Sequence, residues 1–220
     1  YTYEEYRSSI GKMALNGVEA TASMGIDTPL AVLSHEHQPL FNYFKQLFAQ
    51  VTNPPIDCIR EEIVTSTSVY VGRDGNLLEE EPKNCQVLKI NNPILTNTDM
   101  LKIKNMKVEG FKAVTVPITY YKSAPLDRAM DRLFVEVDRA HRAGANILIL
   151  SDRGVDENHV AIPSLLAVSA VHQHLVKTKK RTSLAIILES GEPREAHHFA
   201  TLLGYGACAI NPYLALDTIH

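Results

Sequence analysis

Four short apolar runs in the second half of the chain place the strongest constraint on its fold. They read KAVTVPIT (112–119), ANILILSD (145–152), LAIILES (184–190) and GACAIN (206–211). Apolar runs of this length, without polar alternation, are typical of strands that are buried on both faces of a parallel sheet. We therefore predict a parallel sheet built from these four runs.

The segments between these runs carry the period of amphipathic helices. From Leu126 to His141 the apolar residues recur at helical spacing. Pro163 suits the first turn of a second helix, and Pro193 opens a third helix that Gly204 closes. Because strands and helices alternate, the sequence predicts right-handed βαβ units and an α/β fold.

A further βα unit is expected in front of this series. It would combine the strand-like QVLKI (86–90) with a short helix near Met100. The total is then about five strands, which is too few for a closed eight-stranded barrel. We predict that residues 85–220 form the parallel βα units and that residues 1–84 form a helical and hairpin lead-in.

The lead-in is predicted to contain two helices before residue 52. The first covers 2–15, and a loop with at most one short strand follows at 23–39. The second helix begins at Pro39. Its apolar stripe comprises Leu40, Tyr43, Phe44, Leu47, Phe48 and Val51.

The segment TNPPID (52–57) is predicted to be a rigid corner between that helix and the next. Its two prolines exclude the helical conformation for the residue before each of them. Asp57 can cap a new helix. The later segment SVYVGRDGNLL (68–78) predicts a hairpin that turns at Asp74 and Gly75.

Charge and cysteine usage exclude several classes of partner. Lysine and arginine number 22 against 25 acidic residues, so nucleic acid is not expected to bind. Cys58, Cys85 and Cys208 are far apart in sequence, which favours a reduced, cytoplasmic chain without disulfides. No run suggests a signal peptide or membrane span. The first residue, Tyr1, and a helix that has just begun at the last residues suggest a segment of a longer protein.

The histidines do not have the spacing of metal ligands on a helix. His172 and His174 are two residues apart, and His197 and His198 are adjacent. Metal-binding helices place ligands three or four residues apart, so we predict no metal site here. The chain also has no GxGxxG or GxxxxGK[ST] loop, which leaves nucleotide or flavin binding without support in the sequence.

Polar residues follow each predicted strand, at the edge of the sheet where α/β proteins bind ligands. These residues are Thr119, then Ser151, Asp152 and Arg153, then Glu189, Ser190 and Gly191, then Asn211. Asp152 and Glu189 could act as acid or base, and Arg153 could hold a phosphate. Polar residues belong at strand mouths whatever the function, and we favour that reading because no nucleophile or oxyanion hole accompanies them.

Long stretches of the chain resemble one family. They are SMGIDTPLAVLS (23–34), YFKQLFAQVTNPPIDCIREE (43–62), SLLAVSAVHQHLV (164–176) and ESGEPREAHHFATLLGYGACAINPYLAL (189–216). These stretches resemble the central domain of the glutamate synthase large subunit. The resemblance implies that residues 1–220 are one connecting domain of a larger cytoplasmic chain.

The family resemblance implies a role without chemistry of its own. In that family a glutamine amidotransferase domain precedes the central domain, and an FMN-binding barrel with an iron–sulfur cluster and a β-helix follow it. The central domain is an incomplete, rudimentary version of the barrel, with no catalytic residue, cofactor or metal. The whole enzyme makes two glutamates from glutamine and 2-oxoglutarate with a reductant. Whether that reductant is NADPH, NADH or ferredoxin is decided outside this segment.

The resemblance also implies an ammonia passage between the two reaction centres, and it suggests a purpose for the corner at 52–57. A carboxylate in the wall would favour ammonium, which is not nucleophilic, whereas small uncharged groups would release neutral ammonia. Thr52 and Asn53 on a proline-stiffened backbone have these properties, and Met24 is a weaker candidate for the same wall.

Two further expectations concern partners. The partners implied are the amidotransferase and FMN-binding domains of the same chain, and the apolar face of the helix at 40–51 would invite self-association if this segment were isolated. The alternative function is a free-standing small α/β enzyme that binds a phosphorylated or flavin ligand at Asp152, Arg153 and Glu189.

Overall fold

The computed structural model describes residues 1–21, 33, 35, 37–45 and 54–220. The helices are α1 (Tyr3–Glu5), α2 (Gly11–Asn16), α3 (Cys58–Val64), α4 (Asn97–Lys104), α5 (Leu126–Arg142), α6 (Ser164–Lys177), α7 (Ala196–Gly204) and α8 (Tyr213–Ile219). A π-helical turn at Tyr6–Ile10 joins α1 to α2, and 3₁₀ turns occupy Leu40–Tyr43, Pro82–Cys85 and Arg181–Ser183. The strands are β1 (Val69–Gly72), β2 (Val87–Ile90), β3 (Ala113–Pro117), β4 (Thr119–Tyr121), β5 (Ile147–Ser151), β6 (His159–Ala161), β7 (Ala185–Glu189) and β8 (Ala209–Asn211).

The predicted parallel sheet is confirmed. It has four strands in the order β3, β5, β7, β8, and all three pairings are parallel. Beyond β8, Ile94 forms a parallel bridge with Ile210, and the Leu95 N–H donates to the Ile210 carbonyl at 2.8 Å. The sheet thus gains a fifth position that is a single bridge rather than a strand.

The sheet is the middle layer of three, which explains why its strands are apolar without alternation. One face packs against α5 and α6, and its buried strand residues include Leu148, Leu150, Ile186 and Leu188. The opposite face carries Ile147, Ile149 and Ile187 and packs against α4 and β1. Full burial of each such side chain stabilises the fold by about 1.5–3 kcal/mol, so neither face tolerates polar residues.

The front unit was predicted with the wrong pairing. A strand does form at 86–90, as β2, but it pairs antiparallel with β1 in a separate two-stranded sheet. The strand β2 ends before Asn91, Asn92 and Pro93, and the fifth position of the parallel sheet is occupied by Ile94 instead. The short helix predicted near Met100 is confirmed as α4.

The hairpin predicted at 68–78 has the right first strand and the wrong second one. β1 pairs with β2 across a connection that covers residues 73–86, and Leu77 and Leu78 are exposed. The Asp74 and Gly75 amides donate to the Thr182 carbonyl at 3.0 and 3.3 Å. This long-range anchor holds the Asp-Gly pair against the segment before β7, so the pair does not close a tight turn.

The helix predicted from Pro39 begins as a 3₁₀ turn at Leu40–Tyr43 and stops there, because Phe44 is extended (φ −100°, ψ 130°). Phe41, which the predicted stripe left outside, is fully buried, whereas Tyr43 is half exposed. The Phe44 ring packs edge-on against Tyr205. Phe41 also stacks on His198 of α7. These two contacts, with α7 and with the residue after it, override the helical pattern. Residues 46–51, the rest of the prediction, lie outside the described residues.

The other predicted helix boundaries are confirmed with small shifts. Asp57 caps α3, since its Oδ1 accepts the Ile59 and Arg60 amides at 3.1 and 3.0 Å. Pro163 directly precedes α6, whereas α7 begins three residues after Pro193. Gly204 is the last residue of α7. The left-handed conformation that ends such a helix belongs to Gly206 (φ 118°).

Candidate functional site

Three parallel strands bring their carboxyl ends together as the sequence predicted. In the strand register Ser151 lies beside Glu189, and Glu189 lies beside Asn211. The residues that follow β5 and β7 join them, so most of the predicted strand-end residues form one cluster. Thr119 does not belong to it. It begins β4 opposite Ala161, and its carbonyl accepts a hydrogen bond from Arg132.

Glu189 is the centre of the cluster, and its carboxylate is almost fully buried. Lys104 Nζ donates to its two oxygens at 2.8 and 2.7 Å, Arg153 Nε donates at 2.8 Å, and Ser151 Oγ donates at 2.5 Å. Burial alone would raise the pKa of Glu189, but the hydrogen bonds from these three partners outweigh it and hold the pKa below its usual range. Glu189 is therefore a buried anion whose charge is compensated by hydrogen bonds from Lys104, Arg153 and Ser151.

Asp152 has a separate set of donors. Ser190 Oγ donates to Oδ2 at 2.6 Å, Tyr213 OH donates to Oδ1 at 2.7 Å, and the Gly191 amide lies 3.2 and 3.0 Å from the two oxygens. Burial raises the pKa of Asp152, and these hydrogen bonds offset that rise only in part. A raised carboxyl pKa is one mark of a general acid. Here, however, both oxygens already accept from groups of the same chain.

Arg153 and Tyr213 link the two carboxylates. The guanidinium carbon of Arg153 lies 3.9 Å from the centre of the Tyr213 ring while its Nε binds Glu189. Burial, and then the hydrogen bond to Asp152, raise the pKa of the Tyr213 hydroxyl. Sequence reasoning missed Tyr213 and Lys104, which lie on α8 and α4. Lys104 is near Glu189 because α4 packs against the sheet face that carries Ile147, Ile149 and Ile187. Finding Lys104 would have required a prediction of how this helix packs on the sheet.

Asn211, the polar end of β8, is fully buried. Its Nδ2 donates to the Leu95 carbonyl at 2.9 Å and to Asn97 Oδ1 at 3.0 Å. Its Oδ1 has no hydrogen-bond partner among the described residues. Asn211 therefore fastens the sheet to the start of α4.

A second cluster lies beside the first and connects the N-terminal residues to the carboxyl ends of the parallel strands. Glu192 accepts the Ser164 amide and hydroxyl at 2.8 and 2.6 Å, at the start of α6. Arg194 pairs with Glu5 and lies over the Tyr1 ring. Burial raises the pKa of the Tyr1 hydroxyl, which donates to the Gly191 carbonyl, to about 12.

The histidines fill structural positions. His172 accepts from Arg181 at 3.0 Å, and His174 lies 3.2 Å from Asp138 on α5. His197 contacts the Phe41 carbonyl at 2.9 Å.

His198 stacks on the Phe41 ring, with centroids 4.4 Å apart. Its burial, together with the nearby Arg194, lowers its pKa to about 3, so its imidazole is neutral.

Two further observations bear on cofactors. Within the described ranges no three His, Cys, Asp or Glu side chains form a group that could hold a metal ion, and no helix there is long and apolar enough to cross a bilayer. At the strand ends, Lys104 Nζ and Arg153 Nε both bind the Glu189 carboxylate.

The predicted passage residues Thr52, Asn53 and Met24 lie outside the described residues. Pro54 and Pro55, which follow them, are exposed and lead directly into the capped start of α3.

The fold and its strand-end cluster define a parallel α/β domain in which the acidic and basic residues at the carboxyl ends of the strands bind one another. The sequence matches the family model described as the glutamate synthase central domain over residues 1–220. The chain belongs to this family, as the resemblance implied.

Several curated proteins are similar to this chain along almost its whole length. The glutamate synthase (NADPH) large chain of Bacillus subtilis strain 168 is 47% identical over 218 residues, which are 99% of this chain and 14% of that protein. The glutamate synthase (NADH) of Saccharomyces cerevisiae is 44% identical over all of this chain and 10% of its own length. A ferredoxin-dependent glutamate synthase 2 of Synechocystis is 41% identical over all of this chain and 14% of its own length. This chain thus spans about a tenth to a seventh of such relatives.

Proposed function

We propose that this chain serves as a non-catalytic connecting domain of a glutamate synthase, between a glutamine amidotransferase domain and an FMN-binding synthase domain. The intact enzyme would form two glutamates from glutamine and 2-oxoglutarate at the expense of a reductant. The observation that carries the non-catalytic role is the strand-end cluster. Glu189 and Asp152 accept hydrogen bonds at all four oxygens from the chain's own groups.

The alternative of a free-standing enzyme has less support from the same cluster. A general acid or base must reach a proton on the substrate. Asp152 and Glu189 would each have to release an internal donor first. Releasing a buried, hydrogen-bonded charge costs about 3–5 kcal/mol, which is a poor starting point for catalysis.

The proposed architecture is an incomplete barrel. The strand order β3, β5, β7, β8 follows the chain, and Ile94 from the front of the series bridges to the last strand. That order is the one in which parallel strands close a barrel. Here the outer edge of β3 has no paired strand among the described residues. FMN and the iron–sulfur cluster would then belong to other parts of the intact chain.

A spectrum tests the absence of a cofactor from this domain. The purified 220-residue chain is expected to show no flavin or iron–sulfur absorbance and to gain none when it is incubated with FMN. The intact large chain, purified in parallel, is the positive control and should show both. Stoichiometric FMN in the isolated domain would favour the enzyme reading.

The ammonia passage is the part of the proposal that concerns Thr52, Asn53 and Met24. In the intact enzyme, Asn53→Leu or Thr52→Trp should lower the amount of glutamate formed per glutamine hydrolysed. Leucine would remove an uncharged polar group from the wall of the passage, and tryptophan would narrow the passage. Activity with ammonia supplied directly from solution should be unchanged, since that route bypasses the first domain. If the ratio of the two reactions stayed the same in both variants, the corner would be only a scaffold.

The remaining features of the proposal follow from the resemblance. The partners are the two flanking domains of the same chain, the domain boundaries are 1–220 with a change of character near residue 85, and the compartment is the cytoplasm. Relatives named for NADPH, NADH and ferredoxin are similar to this chain to nearly the same degree. This supports a role for the domain that does not depend on the electron donor. Self-association of the isolated domain stays a prediction.

A further inference from the structure

A cavity of about 350 Å³, which we call the amino-end cavity, lies at the amino ends of the parallel strands, at the opposite end of the sheet from Glu189. Its main polar lining residues are Arg73, Lys83, Gln86, His141, Asn146 and Ser183. The first three belong to the connection between β1 and β2, and the other three precede β5 or β7. The described lining therefore contains three basic side chains and no acidic one.

Hydrogen bonds that do not involve the basic side chains hold the two walls of this cavity together. The amides of residues 74 and 75 donate to the Thr182 carbonyl at 3.0 and 3.3 Å. Arg73 and Ser183 are adjacent to these residues in sequence, so the same contact brings them to one place. The amino-end cavity is thus part of the fold and does not depend on an ion pair across it.

The lining has hydrogen-bond donors to spare. Within the described part of the chain, the Arg73 guanidinium, the His141 ring and the Ser183 hydroxyl form no hydrogen bond or ion pair. Lys83 pairs with Glu81, but both of these side chains are exposed, and an exposed pair of this kind is weak. Two cations and a hydroxyl therefore border one space, and no carboxylate of the described lining neutralises them.

The negative end of helix α5 borders the same cavity, and its charge is partly compensated. A helix carries partial negative charge on the carbonyl groups of its last turn. The His141 carbonyl accepts the Gly144 amide at 2.9 Å, and the Ala143 carbonyl accepts Lys112 Nζ at 2.5 Å. Because an ammonium group binds this helix end, the cavity keeps the positive character of its side chains.

We infer that the amino-end cavity binds a phosphate dianion, either inorganic phosphate or the phosphoryl group of a larger molecule. The Arg73 guanidinium can donate two parallel N–H bonds to phosphate oxygens, and Lys83 adds a point charge. The Ser183 hydroxyl can donate to a further oxygen. A tetrahedral anion presents oxygens in all directions, so it suits donors on opposite walls better than a planar carboxylate does. The site goes beyond the proposed function, because a connecting domain needs no ligand.

Hydrogen exchange of the intact enzyme, followed by mass spectrometry, tests the site. Inorganic phosphate at about 50 mM should slow amide exchange in residues 73–86 about tenfold, as expected for a Kd of about 5 mM, because the opened segment cannot bind the anion. Sodium chloride at the same ionic strength is the control and should leave the exchange unchanged. A phosphate effect below about twofold, or an equal effect of chloride, would overturn the inference.

Two double variants of the intact enzyme show whether the cavity is responsible. Arg73→Gln with Lys83→Gln should reduce the effect of phosphate to less than about twofold. Lys89→Gln with Lys107→Gln is the matched control, because it removes the same charge outside the cavity, and it should keep the tenfold effect of phosphate. All four side chains are exposed, so both variants should fold. Retention of the phosphate effect in the first variant, or its loss in the second, would overturn the inference.

Other anions identify the class of ligand. Succinate at the same concentration and ionic strength should slow exchange less than phosphate does, and an equal or larger effect of succinate would overturn the assignment to phosphate. Glycerol 3-phosphate separates the two sources of the anion. An effect of glycerol 3-phosphate as large as that of phosphate would support a site for the phosphoryl group of a larger molecule, and an effect of phosphate alone would support a site for the free ion.

Discussion

Replacement of Lys104 by methionine tests the strand-end cluster quantitatively. Methionine keeps most of the apolar stem and removes the ammonium that binds Glu189 at 2.7 and 2.8 Å. Loss of one partner from a buried ion pair costs about 3–5 kcal/mol. Arg153 and Ser151 still bind the carboxylate, and Lys104 is partly exposed, so the loss is smaller. We expect Lys104→Met to lower the free energy of unfolding by about 2–3 kcal/mol.

The same helix supplies the control. Lys102 lies 3.6 Å from Asp99, and both side chains are exposed, so Lys102→Met should cost less than about 1 kcal/mol. Urea unfolding of the 220-residue chain at neutral pH measures the free energy of unfolding of both variants. The dependence of that free energy on urea concentration should be the same in the variants and the unmodified chain. If the two variants differed by less than about 0.5 kcal/mol, the reasoning about Glu189 as a buried anion with essential partners would be refuted.

The pH dependence of the same variant gives an independent check. The pKa of Glu189 is lowered in the folded chain, so its contribution to stability is complete above the pKa of an unfolded glutamate, about 4.3. That contribution is lost as the pH falls through the lower, folded value. Because Lys104→Met removes part of the cause of the lowered pKa, the gap between the variant and the unmodified chain should narrow below about pH 4. A constant gap down to acid pH would contradict this.

Three further substitutions test other parts of the fold by denaturant unfolding. Gly206→Ala should cost about 2 kcal/mol or more, because φ is 118° and the new Cβ would lie 2.5 Å from His172 Nδ1; a neutral change would mean that this turn is misplaced. Tyr213→Phe removes the 2.7 Å hydrogen bond to Asp152 and should cost about 1–2 kcal/mol, and no loss would contradict a buried acceptor. Phe41→Ala should cost about 3–5 kcal/mol, and a loss below about 1 kcal/mol would contradict its full burial.

The sequence predicted the parallel strands well because burial on both faces leaves a local signal. Every residue of β5 and β7 is buried, and in both strands all residues before the last one are apolar. Helix α5 was equally clear, since one face packs on the sheet and the other is charged. These elements are those whose environment is uniform along their length.

The errors in the lead-in come from contacts between residues far apart in the chain. Phe41 is held by His198, and this contact ends the helical pattern early. The Asp-Gly pair at 74–75 carried the usual turn signal but is anchored to Thr182. Neither contact can be predicted from the local sequence around it, because the partners are far apart in the chain.

The candidate site was predictable in its location and not in its chemistry. The topology of parallel strands brings Asp152 and Glu189 to one edge, which the strand pattern alone implies. Whether such carboxylates are free or bound depends on Lys104, which is 85 positions from Glu189, and on Tyr213. The contacts with these two partners support the proposed non-catalytic role of the two carboxylates.

Turnover of the intact enzyme after substitution of its strand-end acids is the most direct test of the central claim. We expect Asp152→Asn and Glu189→Gln to lower stability and yet to leave kcat for glutamine-dependent glutamate formation within about threefold of the unmodified enzyme, when assayed at a temperature where each variant stays folded. Loss of a general acid or base lowers turnover by about 10²–10⁴-fold. A loss of that size in the folded Asp152→Asn enzyme would contradict the account and assign chemistry to this domain.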